Sequence, residues 1–279
     1  MPLSRGNLRM TNDHHFAHGT SANSDFILLL LFSVICLLYL YAAVISSRTY
    51  RQWPFSRNIY WLLGLLCIAF SVVGPIANLS HINFTAHMTG HLLLGMMAPL
   101  FIALAAPVTL ILRTLPLQTA RKVSRILKSM PIRIFCDPSV ASTLNIGGLC
   151  ILYTTNLYSN MCHFSFLHFI VHLHLFAAGY LFTTSMIYID KPPHRASHVY
   201  RGIVFVLTMA AHGILSKTIY VDPPHGISAI QAENGAKLMY YGGDAIDIFI
   251  IIIFFYQWFK ARQPHNSLVP EPKKYIHEL

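Results

Sequence analysis

Acidic residues are scarce in this chain. Asp and Glu number 10 against 20 Lys and Arg, and charged residues of both signs make up 11% of the 279 positions. A soluble domain carries roughly a quarter of its residues charged, so a water-soluble fold is not expected. Cysteine is sparse as well. Cys36, Cys67, Cys136, Cys150 and Cys162 are scattered with no CxxC or CxC pair, which argues against a disulfide framework and against thiolate-based metal transfer. There is no clear internal repeat, no low-complexity linker and no soluble second domain. The first 25 residues are polar and lack the apolar core of a signal peptide. Short segments of strictly alternating hydrophobicity are missing too, which excludes a transmembrane β-barrel.

What the chain does hold is 54% hydrophobic residues, gathered into seven apolar runs at about 26–45, 59–79, 85–112, 139–158, 165–189, 202–219 and 236–259. Each is near the length that spans a bilayer as a helix. The predicted fold is therefore an all-α integral membrane protein, a bundle of seven transmembrane helices. The net charge of +10 reports topology rather than a nucleic-acid partner. Sixteen of the twenty Lys and Arg lie in alternate connections, after the first, third, fifth and seventh runs, and the loops at 80–84 and 159–164 have none. The positive-inside rule then places the amino terminus outside and the carboxyl terminus in the cytoplasm. Residues 1–25 read as a polar extracytoplasmic tail, 26–259 as the membrane domain and 260–279 as a cytoplasmic tail. The first run, without a polar residue that demands a partner, reads as a peripheral, lipid-facing helix. The basic stretch from Leu117 to Phe135 reads as a solvated loop in preference to an amphipathic helix on the inner leaflet.

Histidine is the residue that remains to be explained. His87 and His91 begin the third run four residues apart, a spacing that stacks two side chains on one helix face, and His168 and His172 repeat it in the fifth. His174 lies about 200° round the helix from His172, facing another neighbour or making a structural hydrogen bond. His212 stands in the sixth run; Asp244 and Asp247 stand in the seventh. Counted from the outer ends of the runs at 1.5 Å per residue, His91, His172, His212 and Asp244 fall about 10–12 Å deep, in one layer. Ionisable residues inside a membrane mark function by default, and neutral imidazole is the commonest metal ligand. The candidate metal ligands are thus His87, His91, His168, His172 and His212, with Asp244, Asp247 and Met88 as supporting groups that orient them. Thioethers nearby, including Met88, Met96, Met97 and Met209, favour copper over zinc or iron. His14, His15 and His18 read as part of a polar tail without a role.

The stretches HMTGHLLLGMMAPLFIALAAPVTLILRTLP and HFIVHLHLFAAGYLF, the Asp190/Pro192 turn, the AHGILSKTIY helix and the ENGAKLMYYGGD entry to the last run resemble, in order, the CtaG family of cytochrome c oxidase assembly factors. The resemblance covers about 59–260, and the five histidines sit on its motif positions. The last run departs from the family pattern at Ala232, Glu233, Asn234 and Tyr240. The resemblance implies a non-enzymatic, multi-pass protein of the bacterial plasma membrane, needed to build haem–copper oxidases through delivery or handling of copper, with an oxidase subunit as partner. Two alternatives use the same residues: a haem-binding membrane electron carrier with axial histidines, and a copper transporter. A diiron oxygenase fits poorly, since its histidine boxes face the cytoplasm and no HxxHH occurs. The oligomeric state is open.

Overall fold

A computed structural model describes residues 18–80, 82–190 and 194–263, and among these every regular element is a helix. His14 and His15, most of the polar tail, and Lys191, Pro192, Lys273 and Lys274 lie outside the described residues. Proline and glycine set the breaks. The proline-free stretch His18–Thr49 forms one 32-residue helix, α1. Helix α2, Phe55–Val72, opens after Pro54 and ends before Gly74, whose φ of 85° turns the chain into α3, Pro75–Ser80. Asn83 caps α4, Phe84–Leu92, by accepting from the backbone N–H groups of Thr85 and Ala86. The helix continues through a π-helical segment, Leu93–Met97, into α5, Ala98–Ala105.

The two prolines of this span act differently. Pro99 falls in the first turn after the π segment, where a missing N–H is tolerated, and the span runs on. Pro107 breaks it. The residue before a proline is disfavoured in the right-handed helical region, and Ala106 turns left-handed at φ 53°, ψ 55° before α6, Pro107–Thr114, begins. The first N–H groups of α6 are taken up by Asp190, whose carboxylate accepts from Val108 at 3.2 Å and Thr109 at 2.8 Å. Asp190→Ala is expected to cost about 1–2 kcal/mol, the loss of a charged acceptor at a helix N-terminus. It should appear as a lower thermal midpoint of the purified protein in detergent, with Asp190→Asn losing less.

The stretch expected as a loop after α6 is helical: α7, Leu117–Leu127, and α8, Met130–Phe135, lie on the surface with no buried residue. Leu117, Ala120, Val123 and Leu127 recur at helical spacing on the side away from Arg121, Lys122 and Arg125, a pattern that stabilises a helix at an apolar–polar boundary. There follow α9, Pro138–Thr154, α10, Leu157–His163, α11, Ser165–Met186, α12, His198–Val221, and α13, Ala229–Arg262. Six stretches are long and apolar enough to cross a membrane: 25–49, 55–72, 84–114, 166–186, 198–221 and 229–262. The expected run at 139–158 is absent from that set. Its helix α9 has 17 residues and stops where Thr155 becomes extended, with φ −122° and ψ 178°.

The span 84–114 is the centre of the bundle. Of its most apolar window 56% is buried, against 11% in α1. It packs on α2 through α5, on α13 through α4 and on α11 through the π segment, while α12 packs on α13 and α9. Helix α1 leans on α2 and α6, with Phe26, Leu37 and Tyr41 exposed outward. Its anchor is Tyr39, which donates to the carbonyl of Ala105 at 2.8 Å, accepts from Trp53 Nε1 at 3.2 Å and stacks on Trp61 at 4.3 Å. The break at Pro107 thus leaves a carbonyl that α1 uses.

Candidate metal centre

The Asn83 cap fixes where α4 starts and so which of its residues face inward. His87 and His91 are both buried, at 7% and 3% exposure, yet their rings have different company. His87 Nε2 lies 3.1 Å from the Tyr153 hydroxyl, and its ring packs against Tyr158 at 4.9 Å. His91 also meets Tyr153, at 6.3 Å, and faces His212 of α12 at 6.4 Å between ring centres, with the planes 23° apart. Among the described residues, neither ring nitrogen of His91 has a hydrogen-bond partner, nor has His212 Nε2 or Asp247 Oδ1, all of them buried. A buried polar atom left unpaired costs about 1–3 kcal/mol, and native proteins keep few of them. Here they belong to three packed helices, α4, α12 and α13, and Asp244 lies one turn before Asp247 on α13.

The π segment begins two residues after His91. Such segments widen the helix by one residue and concentrate at functional sites. Its Gly95 faces α11, where an added Cβ would touch Leu175 at 3.0 Å and lie 3.6 Å from His91 Cε1. Gly179 of α11 lies so close to the Gly95 carbonyl that no Cβ fits. His172 lies one turn before Leu175, the α11 residue that meets Gly95 beside His91. Its Nδ1 is 2.9 Å from the carbonyl of His168. A carbonyl only accepts, so Nδ1 carries the proton and the lone pair of the neutral ring is on Nε2. This is the ring arrangement that metal-ligating histidines use. The His168 and His172 rings stack at 4.1 Å. His174 turns the other way, its Nε2 donating to Leu144 of α9 at 3.2 Å in the space left by Gly148.

The five histidines therefore divide into a His91–His212 pair, a His168–His172 stack beside it, and His87 bound to Tyr153. Among the described residues, no three His, Cys, Asp or Glu side chains close into a metal cage. Met88 is fully buried against Gly235 of α13, where it fills the core, and Met96, Met97 and Met209 pack against a second core around Leu92 and Ile246. Sequence reasoning passed over Tyr153 as a member of this layer, although it stood in the polar outer end of its run. It also passed over Gly243, where a Cβ would strike the His212 ring. A glycine beside an aspartate in an apolar run is the signal for that position.

Residues 37–261 match the family described as cytochrome c oxidase caa3 assembly factor (Caa3_CtaG). Two curated relatives, the uncharacterized protein Mb0105 of Mycobacterium bovis and the uncharacterized protein MT0111 of Mycobacterium tuberculosis, are each 30% identical over 177 residues. The aligned stretch covers 60% of this chain and 27% of theirs, so the chain spans about a quarter of the length of these relatives. No solved structure matches it. The family match runs through every histidine of the layer, from His87 to His212, and the chain belongs to the cytochrome c oxidase caa3 assembly factor family.

Proposed function

We propose that this protein is a non-enzymatic assembly factor for a haem–copper cytochrome c oxidase that takes copper as cargo on the His91–His212 pair and passes it to an oxidase subunit. The observation that carries this reading is His91, buried with both ring nitrogens unpartnered beside an equally unpartnered His212 Nε2. Two imidazoles that share one ion through bonds of about 2 Å stand roughly 6 Å apart between ring centres, and these stand 6.4 Å apart. His172, on the neighbouring α11, would be a further donor. A two-imidazole donor set suits a soft, low-coordinate copper(I) held for transfer. Asp244 and Asp247 would orient and counter-charge the imidazoles. Metal analysis of the chain purified in detergent, with and without added Cu(I), tests the reading directly. Retained copper is expected; a Soret band without copper would favour a haem carrier.

In this reading residues 26–259 form the membrane domain of a plasma-membrane protein, in contact with lipid, with 1–25 outside and 260–279 in the cytoplasm. Helix α9 supplies the seventh crossing: its 17 residues extend about 25 Å at 1.5 Å each, at the lower limit for a span, and it packs between α11 and α12. Without it the basic stretches at 113–133 and 195–201 fall on opposite sides of the membrane, against the positive-inside rule. A cysteine at Ile82, which is 76% exposed and spares the Asn83 cap, and another at Asn160 are expected to react with an impermeant thiol reagent on intact spheroplasts in a cysteine-free background. Reaction only after lysis would reverse the orientation and put the histidine layer on the cytoplasmic side.

A further inference from the structure

A buried charge without an ion-pair partner among the described residues lies about 17 Å from His212 along α12, counting 1.5 Å per residue back to the first turn. Arg201 is 1% exposed, the largest fully buried side chain in the described structure. Its Nη1 donates to the carbonyl of Met186 at 2.7 Å, and its guanidinium lies over the rings of Tyr188 at 4.0 Å and Phe254 at 5.2 Å. Among the described residues its Nε is buried with no partner, and no carboxylate forms an ion pair with it. The ion pair formed among the described residues joins Lys237 to Glu233, on another part of α13. Asp190 is engaged by α6, and Asp137 by the Tyr200 hydroxyl at 2.9 Å and the Ser139 N–H at 3.0 Å.

Beside Arg201 an open pocket of about 450 Å³ is lined by Tyr188, Arg195, His198, Gln257 and Lys260. Its wall is fixed: the Gln257 amide accepts from the Tyr188 N–H at 3.1 Å and donates to its carbonyl at 3.3 Å, while the Tyr188 hydroxyl accepts from the Ala196 N–H at 3.0 Å. A guanidinium held in a rigid wall without a counter-ion is expensive to bury and is the preferred partner of a tetrahedral or planar oxyanion. Arg195 and Lys260, both exposed at the mouth, add charge of the same sign. The pocket opens where α12 begins and α13 ends, and Val199, Ile203 and Phe259 expose apolar side chains around it. Basic pockets between helices at a membrane boundary take phospholipid headgroups.

We infer that this pocket binds a phosphate-bearing anion, either the headgroup of an anionic phospholipid or free phosphate, with Arg201 as the buried anchor and Arg195 and Lys260 at the rim. The test uses the full chain in neutral detergent, with the thermal midpoint followed as short-chain phosphatidylglycerol, short-chain phosphatidylcholine or inorganic phosphate is titrated at constant ionic strength. Phosphatidylglycerol is expected to raise the midpoint and phosphatidylcholine to leave it unchanged. A response to inorganic phosphate as large as that to phosphatidylglycerol would support the site with a free anion as its source; a response to phosphatidylglycerol alone would support it with lipid as the source. Because Arg201→Gln removes a buried anchor and risks misfolding, the deciding variant is Arg195→Gln/Lys260→Gln, changed only at exposed positions. Loss of two charge-assisted contacts should weaken the response at least tenfold. An unchanged midpoint with both anions, or a double variant that titrates like the wild type, would overturn the assignment.

Discussion

His91→Ala is expected to strip copper from the purified protein and to lower active copper oxidase in membranes grown under copper limitation, while the chain itself accumulates normally. The two halves of this outcome come from the same geometry. Loss of a directly coordinating imidazole should weaken copper binding by more than the 10–100-fold typical of groups that merely orient a ligand. The apo protein, however, gives up little. Both ring nitrogens of His91 are buried and unpartnered, so removing them relieves a desolvation cost of about 1–3 kcal/mol that offsets much of the cavity left behind. His212→Ala should behave in the same way. His87→Ala should not, because His87 bonds Tyr153 and packs on Tyr158; there a loss of stability is expected beside any loss of copper. Excess copper in the medium should partly restore oxidase to the His91 variant. Normal oxidase in His91, His172 and His212 variants under copper limitation would make these histidines structural. Oxidase lost with copper binding intact would make the protein a scaffold.

The reading from sequence went furthest where a pattern is local. The four-residue spacing of His168 and His172 alone implies the stacked rings, which lie 4.1 Å apart, and the position of His174 round the helix implies its separate bond to α9. The same spacing at His87 and His91 says less about which neighbours the rings meet. Both face inward and both rings meet Tyr153 of α9, but only His91 also faces His212 of α12, a difference set by neighbours remote in the chain. The π segment, whose Gly95 carbonyl lies against Gly179, is not legible in sequence, because Leu, Gly and Met carry no mark of it. Likewise α7 and α8 look like loop when charge is weighed above periodicity, and the fourth run, 139–158, extends past the end of α9 because Thr155, an ordinary residue in sequence, ends that helix. Arg201 was counted only as one of the charges that orient the chain. Nothing in its surroundings in sequence shows that it would be sealed under Tyr188 and Phe254.

The close pass between α11 and the π segment is the contact on which the site's assembly depends, and one methyl group tests it. At Gly179 a Cβ would be driven into the carbonyl of Gly95, with Pro99 also within 3.2 Å. Backbone cannot rotate out of the way as a side chain can, so Gly179→Ala must push the two elements apart. The expected loss is about 1–3 kcal/mol, the usual range for overpacking, and at its upper end. Gly147 of α9 is the matched control, since a Cβ there meets nothing within 4 Å. Gly147→Ala should be neutral or stabilising by up to about 1 kcal/mol through helix propensity. The two variants are the same chemical change, and their thermal midpoints in detergent should move in opposite directions or differ by several degrees. Copper gives a second readout. His91 lies one turn before Gly95 and His172 two turns before Gly179, so separating α11 from the π segment draws their imidazoles apart. Gly179→Ala should therefore lose both stability and copper, whereas His91→Ala loses copper alone. A Gly179→Ala protein that melts with the wild type and keeps its copper would show that α11 does not approach this closely, and would remove His172 from the donor set.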